Sequence, residues 1–338
     1  MSTSLKNSSQ TLFDAKSGVE AGTAGVKHIG LMITRWILPV ATVALMVWFS
    51  TQTPVFLTVD NLLSIATQNT PTFIVASVFA LLMMAGYVDL SVGSVLALVG
   101  VSAGLALNAW GLWPGILVGL AVGIIAGVIN GVLIGMLSFS PIVVTLGGLA
   151  AARGLAQYLG QGSIYGFPNA FADFGSNASF GIPNLVIVAV LVGIACVIAS
   201  TCFPVGRKII AIGVNPRAAF LIGIRVRLIV TILYSLTGLA VGIAGLLQIA
   251  RLNSAPSGTL GEGFEVIVLT AVLLGGVPFT GGKGSIWRVL VGVWLIGTLS
   301  NGLILMDIGT ELSGIITGGV LVLAAALEAA RYFIHKTR

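Results

Sequence analysis

The polar side chains most able to do chemistry in this sequence are amides within or at the edge of long apolar runs. They are Gln68, Asn69, Asn130 and Asn301. Each can donate and accept hydrogen bonds, so together they could bind a neutral, hydroxyl-bearing solute, which needs such partners rather than charge. The more common role of an amide in an apolar helix is a hydrogen bond to a neighbouring helix, worth roughly 0.6 kcal/mol. Both roles remain open.

Asp89, which opens the segment DLSVGSVLALVG, is a carboxylate between two apolar runs. If those runs cross a membrane, an acid at that depth is costly and is by default a mark of function. Asp89 could also cap the next helix by accepting from the N–H groups of Ser91 or Val92. The two roles are compatible, because a capped helix start inside a membrane presents polar backbone to a pathway. We therefore group Asp89, Ser91 and Ser94 with the four amides as candidate pathway residues.

Nucleotide binding is not predicted for this chain. The segment GGVPFTGGKGS at 275–285 has the glycines and lysine of a phosphate-binding loop. The full pattern G-x4-G-K-[ST] would require a glycine in place of Val277 and a Ser or Thr in place of Gly284. No other stretch fits it. We expect any energy to come from a partner, with no cofactor held by this chain.

Enzymatic and metal-binding roles are also poorly supported. The histidines, His28 and His335, lie near the termini, and no catalytic triad or nucleophile motif appears. Cys196 and Cys202 have no histidine or carboxylate nearby, so packing in the core or against lipid is favoured over a metal site or a disulfide. We expect no catalytic residue and no metal.

The composition indicates the solvent in which these residues must sit. Of 338 residues, 57% are hydrophobic and only 8% are charged, against about 25% charged in an ordinary soluble domain. A mean hydropathy of +1.09 leaves no plausible way to hide so much apolar surface from water. The net charge of +6 does not indicate nucleic-acid binding, because the cations stand at the ends of apolar runs. An all-α integral membrane protein is predicted.

Ten apolar runs approach the length of about 20 residues that a membrane-spanning helix needs. The runs are 31–50, 71–86, 90–108, 114–137, 141–160, 184–203, 228–250, 264–279, 286–306 and 311–332. Because 71–86 and 264–279 are short enough to be broken or re-entrant, we predict about ten spans, within a range of eight to ten. With 45 glycines, several of them four apart from Gly119 to Gly135, the helices are expected to pack closely in a Gly-rich bundle.

The distribution of lysine and arginine predicts the orientation. If ten helices alternate from a cytoplasmic N-terminus, all 16 cations except Arg153 and Arg251 fall inside, as the positive-inside rule requires. We therefore predict that both termini are cytoplasmic and that the transmembrane domain covers 31–333. Residues 1–30 are polar and lack the apolar core of a secretory signal, so they are predicted to be a disordered cytoplasmic tail.

Five of those cations and no acid fall in FPVGRKIIAIGVNPRAAFLIGIRVRL, residues 203–228. We predict a short amphipathic helix over 207–212, a break at 213–214, and a second short helix that Asn215 caps and Pro216 begins. This stretch could lie with its apolar side among lipid headgroups. Alternatively, it could form a shaped surface on which another protein docks.

The same stretch resembles the coupling loop of sugar-type ABC importer permeases, which typically carry G-R-x-x-x-A-x-G-x-N-x-x-A-A-x-x-x-G-I. The matching positions are Gly206, Arg207, Ala211, Gly213, Asn215, Ala218, Ala219, Gly223 and Ile224. Ile210, Pro216 and Phe220 lie among them and join the candidate ATPase-coupling residues. Further segments resemble the family at 89–100, 127–156, 261–276, 281–285 and 301–308, so the resemblance covers roughly residues 55–330.

The resemblance implies a bacterial inner-membrane permease of the ribose, xylose, arabinose and galactose type. A periplasmic binding protein would deliver a small neutral sugar to two paired permease copies, with the pathway at their two-fold interface. ATP would bind to a separate cytoplasmic ABC ATPase that docks on the coupling loop, residues 204–227. Closure of the ATPases would then rock the helices as rigid bodies.

Glu262 and Glu265 flank Phe264 on the predicted outer side. The pair could form salt bridges with the binding protein. Equally, the two acids could cap the following helix and complement its dipole.

Two other classes of transporter remain as alternatives. A stand-alone secondary transporter would favour more ionisable residues buried at mid-membrane and a detectable inverted repeat, neither of which is evident. A branched-chain amino-acid permease of the same superfamily would have to accommodate a zwitterion, whereas the candidate pathway residues are mostly neutral.

Overall fold

The computed structural model describes residues 36–309, 312–316, 318–320, 322–323 and 326. The predicted tail at 1–30 lies outside the described residues, and the predicted run at 311–332 lies only partly within them. The apolar runs form α-helices, which is the expected outcome in lipid because a helix satisfies its backbone N–H and C=O groups internally.

The helices and short strands follow one another along the chain. They are α1 (Trp36–Gln52), α2 (Val59–Gln68), α3 (Thr70–Met84), α4 (Val92–Trp110), α5 (Leu112–Gly131, extended by a π-helical turn at Val132–Met136), α6 (Pro141–Gly160), β1 (Ser163–Tyr165), α7 (Asn169–Ser176), β2 (Ala178–Ser179), β3 (Ile182–Pro183), α8 (Asn184–Thr201), α9 (Pro204–Val214), α10 (Pro216–Leu221), α11 (Val226–Leu252), β4 (Ser254–Pro256), α12 (Phe264–Leu274) and α13 (Ile286–Leu305). The strands pair antiparallel, β1 with β4 and β2 with β3.

Six helices of the described chain are long and apolar enough to cross a membrane: α4, α5 with its π-helical turn, α6, α8, α11 and α13. The pair α2 and α3 passes the same test as one broken span bent by 51°, which makes seven. The helices α1 and α12 are apolar but shorter. The all-α membrane architecture is thus confirmed, whereas the predicted count of eight to ten spans is not confirmed.

The centre of the bundle is α11, which packs against α3, α4 and α5. Its contact with α5 is made by glycine backbones: a Cβ atom added at Gly123 or Gly127 would collide with the chain at Gly238 of α11. The glycine-lined face predicted for this part of the sequence is therefore confirmed. Small residues allow this approach, which gives close van der Waals contact where lipid supplies no hydrophobic driving force.

One end of the bundle collects the cations. The connections after α3, α8 and α12 meet there, because the Gly282 N–H donates to the Met84 carbonyl (2.9 Å) and Gly213 packs against both. We call this the basic end. Its charged residues are Arg207, Lys208, Arg217, Arg225, Arg227, Lys283 and Arg288.

The opposite end collects the acids, and we call it the acidic end. The ladder of β1 with β4 joins the connection after α6 to the connection after α11 there. The acids at this end are Asp60, Asp173, Glu262, Glu265 and Asp307. Trp110 and Trp113 lie at the same end, 69% and 72% exposed, as expected of an aromatic belt at a membrane surface.

Two predicted helix boundaries are wrong. Helix α5, predicted to begin at Pro114, begins at Leu112 instead. The preceding helix ends at Trp110, and Gly111 follows it with a positive φ. The first helix of the basic loop does not break at 213–214 but continues to Val214. Gly213 lies within that helix, and its missing side chain serves close packing against the end of α3.

Candidate functional site

A cavity of about 340 Å³ lies near the acidic end, where the bend between α2 and α3 faces α11, α12 and α13. Its lining is mixed polar and apolar: Gln68, Asn69, Pro71, Thr72, Leu96, Gln248, Arg251, Thr259, Gly261, Glu262, Phe264, Ile267, Ile296, Gly297 and Ser300. The volume lies within the range of small-molecule sites, about 300–1,000 Å³.

The bend that opens this cavity has local causes. Asn69 is both the C-cap of α2 and the N-cap of α3, and its side-chain amide donates to the Ile65 carbonyl (2.8 Å). Pro71 has no N–H to continue the hydrogen-bond ladder of α2 into α3. Opposite the bend, Gly297 of α13 leaves space that the Asn69 amide fills, since a Cβ atom there would collide with it. The broken helix thus follows from Asn69, Pro71 and the facing glycine.

Gln248 and Arg251, one turn apart on α11, are polar groups of the cavity wall that lack partners. Oε1 of Gln248 and Nε of Arg251 are buried, and neither has a hydrogen-bond partner among the described residues. A buried polar group left unpaired costs about 1–3 kcal/mol. Both side chains also line the cavity, so their other polar atoms are the ones that a bound solute could reach.

The rim of the cavity is held in place by Arg153. Its Nη1 donates to the Leu260 carbonyl (2.7 Å), which anchors the segment that carries Thr259, Gly261 and Glu262. A carbonyl of the connection between α11 and α12 thus occupies one N–H group of this guanidinium.

A second polar group lies nearer the basic end and is closed. The Asp89 carboxylate accepts from the Ser91 N–H (2.9 Å), the Ser91 hydroxyl (2.5 Å) and the Asn130 amide (3.3 Å), and Asn130 also donates to the Ser91 hydroxyl (3.0 Å). The three side chains are at most 5% exposed, and the void beside them measures only about 10 Å³. We call these residues the Asp89 cluster.

The predicted capping role of Asp89 agrees with this geometry at Ser91. The helix itself begins at Val92, with Ser91 at its N-cap. Asp89 therefore fixes the turn immediately before α4.

The predicted pathway residues separate into different places. Gln68 and Asn69 line the cavity, whereas Asp89, Ser91 and Asn130 form the closed cluster. Ser94 lies buried in α4, 2% exposed. Asn301 exchanges two hydrogen bonds of 3.0 Å with Asn61, which is the helix-to-helix role.

The acids Glu262 and Glu265 also separate. Glu262 is exposed at the rim of the cavity. Glu265 lies in the first turn of α12, and its Oε2 is buried beside Gly93 without a hydrogen-bond partner among the described residues. The two carboxylates therefore do not form a paired external surface.

The basic loop, residues 204–227, consists of two helices that meet at Asn215. The Asn215 side chain accepts from the backbone N–H groups of Arg217 and Ala218 (3.0 Å each), so the predicted cap is confirmed. Gly223 follows the second helix with a φ of +86°, a conformation that favours glycine and ends the helix.

The candidate coupling residues of this loop differ in exposure. Gly206 and Ala219 are buried, and Ile210, Ala211 and Gly213 are partly buried. Arg207, Asn215, Pro216, Ala218 and Gly223 are exposed. The most prominent feature is an apolar tip in which Phe220, Leu221 and Ile222 are 68%, 79% and 75% exposed.

Sequence reasoning missed Gln248, Thr72, Thr259 and Ser300 as cavity residues. For Gln248 a signal was present: it stands three residues before Arg251 in LLQIARL, so both polar groups share one face of an otherwise apolar helix. Arg251 was itself one of two cations that did not fit the positive-inside pattern.

Comparisons with known proteins point to one family. The family described as "Branched-chain amino acid transport system / permease component" matches residues 61–325. The D-allose transport system permease protein AlsC of Escherichia coli K12 is 33% identical over 278 residues, 81% of this chain and 84% of that protein. The ribose import permease protein RbsC of the same strain is 34% identical over 298 residues, 86% and 92% of the two chains.

A third relative agrees with these two. The galactose/methyl galactoside import permease protein MglC of Salmonella typhimurium is 30% identical over 305 residues, 83% of this chain and 90% of that protein. No solved structure matches the chain significantly.

Proposed function

Because the chain belongs to this family of transport-system permease components, and its relatives are sugar permeases, we propose that it carries a small neutral sugar inward across the inner membrane. A pentose such as ribose, or a related sugar, is the proposed cargo. The chain is the translocation subunit of an ABC importer, and ATP is hydrolysed on a separate cytoplasmic subunit. No catalytic residue is required of this chain.

The observation that carries this proposal is the junction between the basic loop and α3. Gly213 of α9 packs backbone to backbone against Met84, the last residue of α3, and Gly282 adds a hydrogen bond to the same carbonyl. The other end of α3 forms the bend at the cavity. A push on the loop would therefore reach the cavity wall through one rigid helix, the kind of rigid-body linkage that alternating access needs.

The proposed orientation places the basic end in the cytoplasm, following the positive-inside rule. In this arrangement the apolar tip of the loop faces the ATPase, and the acidic end receives sugar from a periplasmic binding protein. We propose ten crossings, with α1, α12 and the predicted run at 311–332 added to the seven spans, and both termini in the cytoplasm. A second copy of the chain completes the transporter as a homodimer.

The transport proposal is tested by reconstitution. The chain is placed in liposomes with a cognate ATPase and binding protein, and uptake of labelled D-ribose, D-allose, L-arabinose and D-galactose is measured with ATP and with a non-hydrolysable analogue. We expect uptake of at least one sugar that requires hydrolysis. Uptake that persists without hydrolysis would support a secondary transporter instead.

The docking proposal is tested at the apolar tip. Replacing Phe220 and Leu221 by serine removes most of the exposed apolar surface, so we expect the ATPase to stop co-purifying with the permease. The matched control is Phe180→Ser, since Phe180 is fully exposed at the opposite end. Equal recovery of the ATPase in both variants would place the tip among lipid headgroups.

A branched-chain amino acid remains a second candidate cargo, because Arg251 and Glu262 line the same cavity and carry opposite charges. A zwitterion could pair its carboxylate with the first and its ammonium group with the second. L-leucine is therefore included in the uptake assay. Leucine uptake without sugar uptake would favour this second candidate.

A further inference from the structure

Two side chains of the cavity wall, Gln248 and Arg251, have hydrogen-bonding groups that are unused. Elsewhere in the bundle, buried threonine and serine hydroxyls commonly donate to the carbonyl one turn back, as Thr237 and Ser77 do. In the cavity wall, no hydrogen bond joins the side chain of Gln248 or Arg251 to any described residue, and one buried atom of each is left without a partner. The other polar atoms of these side chains, the Gln248 amide nitrogen and the Arg251 Nη atoms, are the groups that a ligand in the cavity could pair with.

We propose that this cavity, lined by residues of one chain, is a binding site for the transported sugar, with Gln248 and Arg251 as its hydrogen-bond partners. The proposal rests on the sugar-import function and adds a location to it. A site within one chain differs from a pathway formed only between two copies, because each half of a dimer would then hold its own sugar molecule.

The wall chemistry fits a neutral polyhydroxylated solute. Gln248 and Arg251 offer N–H donors, and Glu262 offers acceptors at the rim. Hydrogen bonds to the two charged groups are stronger than neutral ones, and their opposite charges leave no net charge for the solute to balance. Phe264 and Ile296 supply apolar surface for the C–H face of a sugar ring.

The position of the cavity gives it a means of release. Its wall includes Asn69 at the bend of α2 and α3, and the other end of α3 is fixed to the basic loop through Gly213. Movement of α3 would change the angle at Asn69 and with it the shape of the site. Binding energy is then coupled to the same helix that the ATPase moves.

The test measures binding to the full chain in lipid nanodiscs, with radiolabelled D-ribose, D-allose, L-arabinose and D-galactose as separate probes. We expect saturable binding of at least one sugar, weakened about tenfold or more in Gln248→Met and Arg251→Met, an effect of about 1.4 kcal/mol. The matched control is Gln157→Met, which alters an exposed glutamine on α6. Its affinity should equal that of the wild type.

Several outcomes would overturn the site. The first is that none of the four sugars binds saturably. The second is that Gln248→Met and Arg251→Met bind sugar with the affinity of the wild type. The third is that L-leucine competes completely with the sugar. The failure of the site is distinguished from failure of the transport function by the uptake assay on the same variants. Wild-type levels of ATP-driven sugar uptake in Gln248→Met would leave the function standing and remove the site, whereas no uptake by the wild type would remove the function.

A second measurement does not depend on the folding of the Gln248 and Arg251 variants. Thr259, exposed at the rim, is replaced by cysteine in a Cys202→Ser background, and its labelling by a maleimide is followed with and without sugar. Sugar should slow labelling at position 259 several-fold. It should leave labelling unchanged in the matched Asn177→Cys variant, which is exposed elsewhere at the acidic end. Equal rates at 259 with and without sugar would argue against occupancy of the cavity.

Discussion

The Asp89 cluster and the cavity around Gln248 are both polar regions inside an apolar bundle, but they differ in how their hydrogen bonds are used. In the cluster, a carboxylate, a hydroxyl and an amide satisfy one another around a void of about 10 Å³. Gln248 and Arg251 line a cavity of about 340 Å³, and one buried atom of each has no hydrogen-bond partner among the described residues.

This difference distinguishes polar groups that stabilise the fold from polar groups that are available to bind a ligand. A saturated group in low dielectric rigidifies the elements that carry it, and here it fixes the turn between α3 and α4 against α5. An unsaturated group is costly and is expected where a ligand will complete it. The Asp89 cluster should therefore govern stability, and the cavity should govern binding.

The strongest test of the comparison is Asp89→Ala. It leaves the Ser91 N–H and the Asn130 amide without their acceptor in a closed, buried place, so we expect a loss of about 3 kcal/mol in the free energy of unfolding. Denaturant unfolding in detergent measures it. Asp60→Ala, at an exposed acid, should stay within about 0.5 kcal/mol of the wild type. Equal stability of the two variants would show that the cluster is not structural.

Removing the anchor of the cavity rim should have the next largest effect. Arg153→Met loses a charged hydrogen bond to the Leu260 carbonyl, worth about 2 kcal/mol. Amide hydrogen exchange over 257–263 should become faster, while the ladder at Asn184–Thr201 of α8 keeps its protection. Gln157→Met, on the exposed side of the same helix, serves as control. Unchanged exchange over 257–263 would mean that Arg153 does not hold the rim.

A substitution inside the cavity is expected to raise the free energy of unfolding and not to lower it. Gln248→Met replaces an amide whose buried oxygen is unpaired with an apolar side chain of similar size, so the free energy of unfolding should rise by about 1 kcal/mol. The same thermal or denaturant assay applies, with sugar absent. A destabilised variant would show that Gln248 is bonded in the resting protein, and the contrast with the Asp89 cluster would fail.

The smallest effect is expected for Asn61 and Asn301. Their side chains hydrogen-bond to each other, as the members of the Asp89 cluster do, but only two side chains take part. Replacing each by leucine, singly and together, should give a coupling energy of about 0.6 kcal/mol in a double-mutant cycle. Sugar affinity should be unchanged in all three variants, because neither residue lines the cavity. Weaker binding would indicate that the pair belongs to the pathway after all.

Local rules predicted the parts of the fold that depend on neighbouring residues. The cap that Asn215 provides and the helix start at Pro216 follow from short-range chemistry and are confirmed. The weaker predictions concerned Gly213, whose absent side chain is needed for packing against α3 and not for a break. The sequence does not distinguish a glycine that ends a helix from a glycine that allows close packing within one.

The candidate site was predicted less well, for a geometric reason. Polar residues could be found by their contrast with apolar neighbours, but their partners lie on helices far apart in the chain. Asn130 meets Asp89, and Asn301 meets Asn61, across many residues. Arg153 and Leu260 illustrate the same point, since nothing near Arg153 in sequence indicates a carbonyl acceptor in a distant loop.

The sequence alone determined that this chain is a membrane protein, that its helices pack through glycine faces, and that many of its cations lie on a capped, two-helix loop. These features depend on composition and on spacing along one helix, which the order of residues contains directly. Only the tertiary structure decided which polar side chains are saturated and which are left open, because that depends on how each helix is rotated and on which distant partner it faces. The cavity at Asn69, Gln248 and Arg251 exists only in that arrangement.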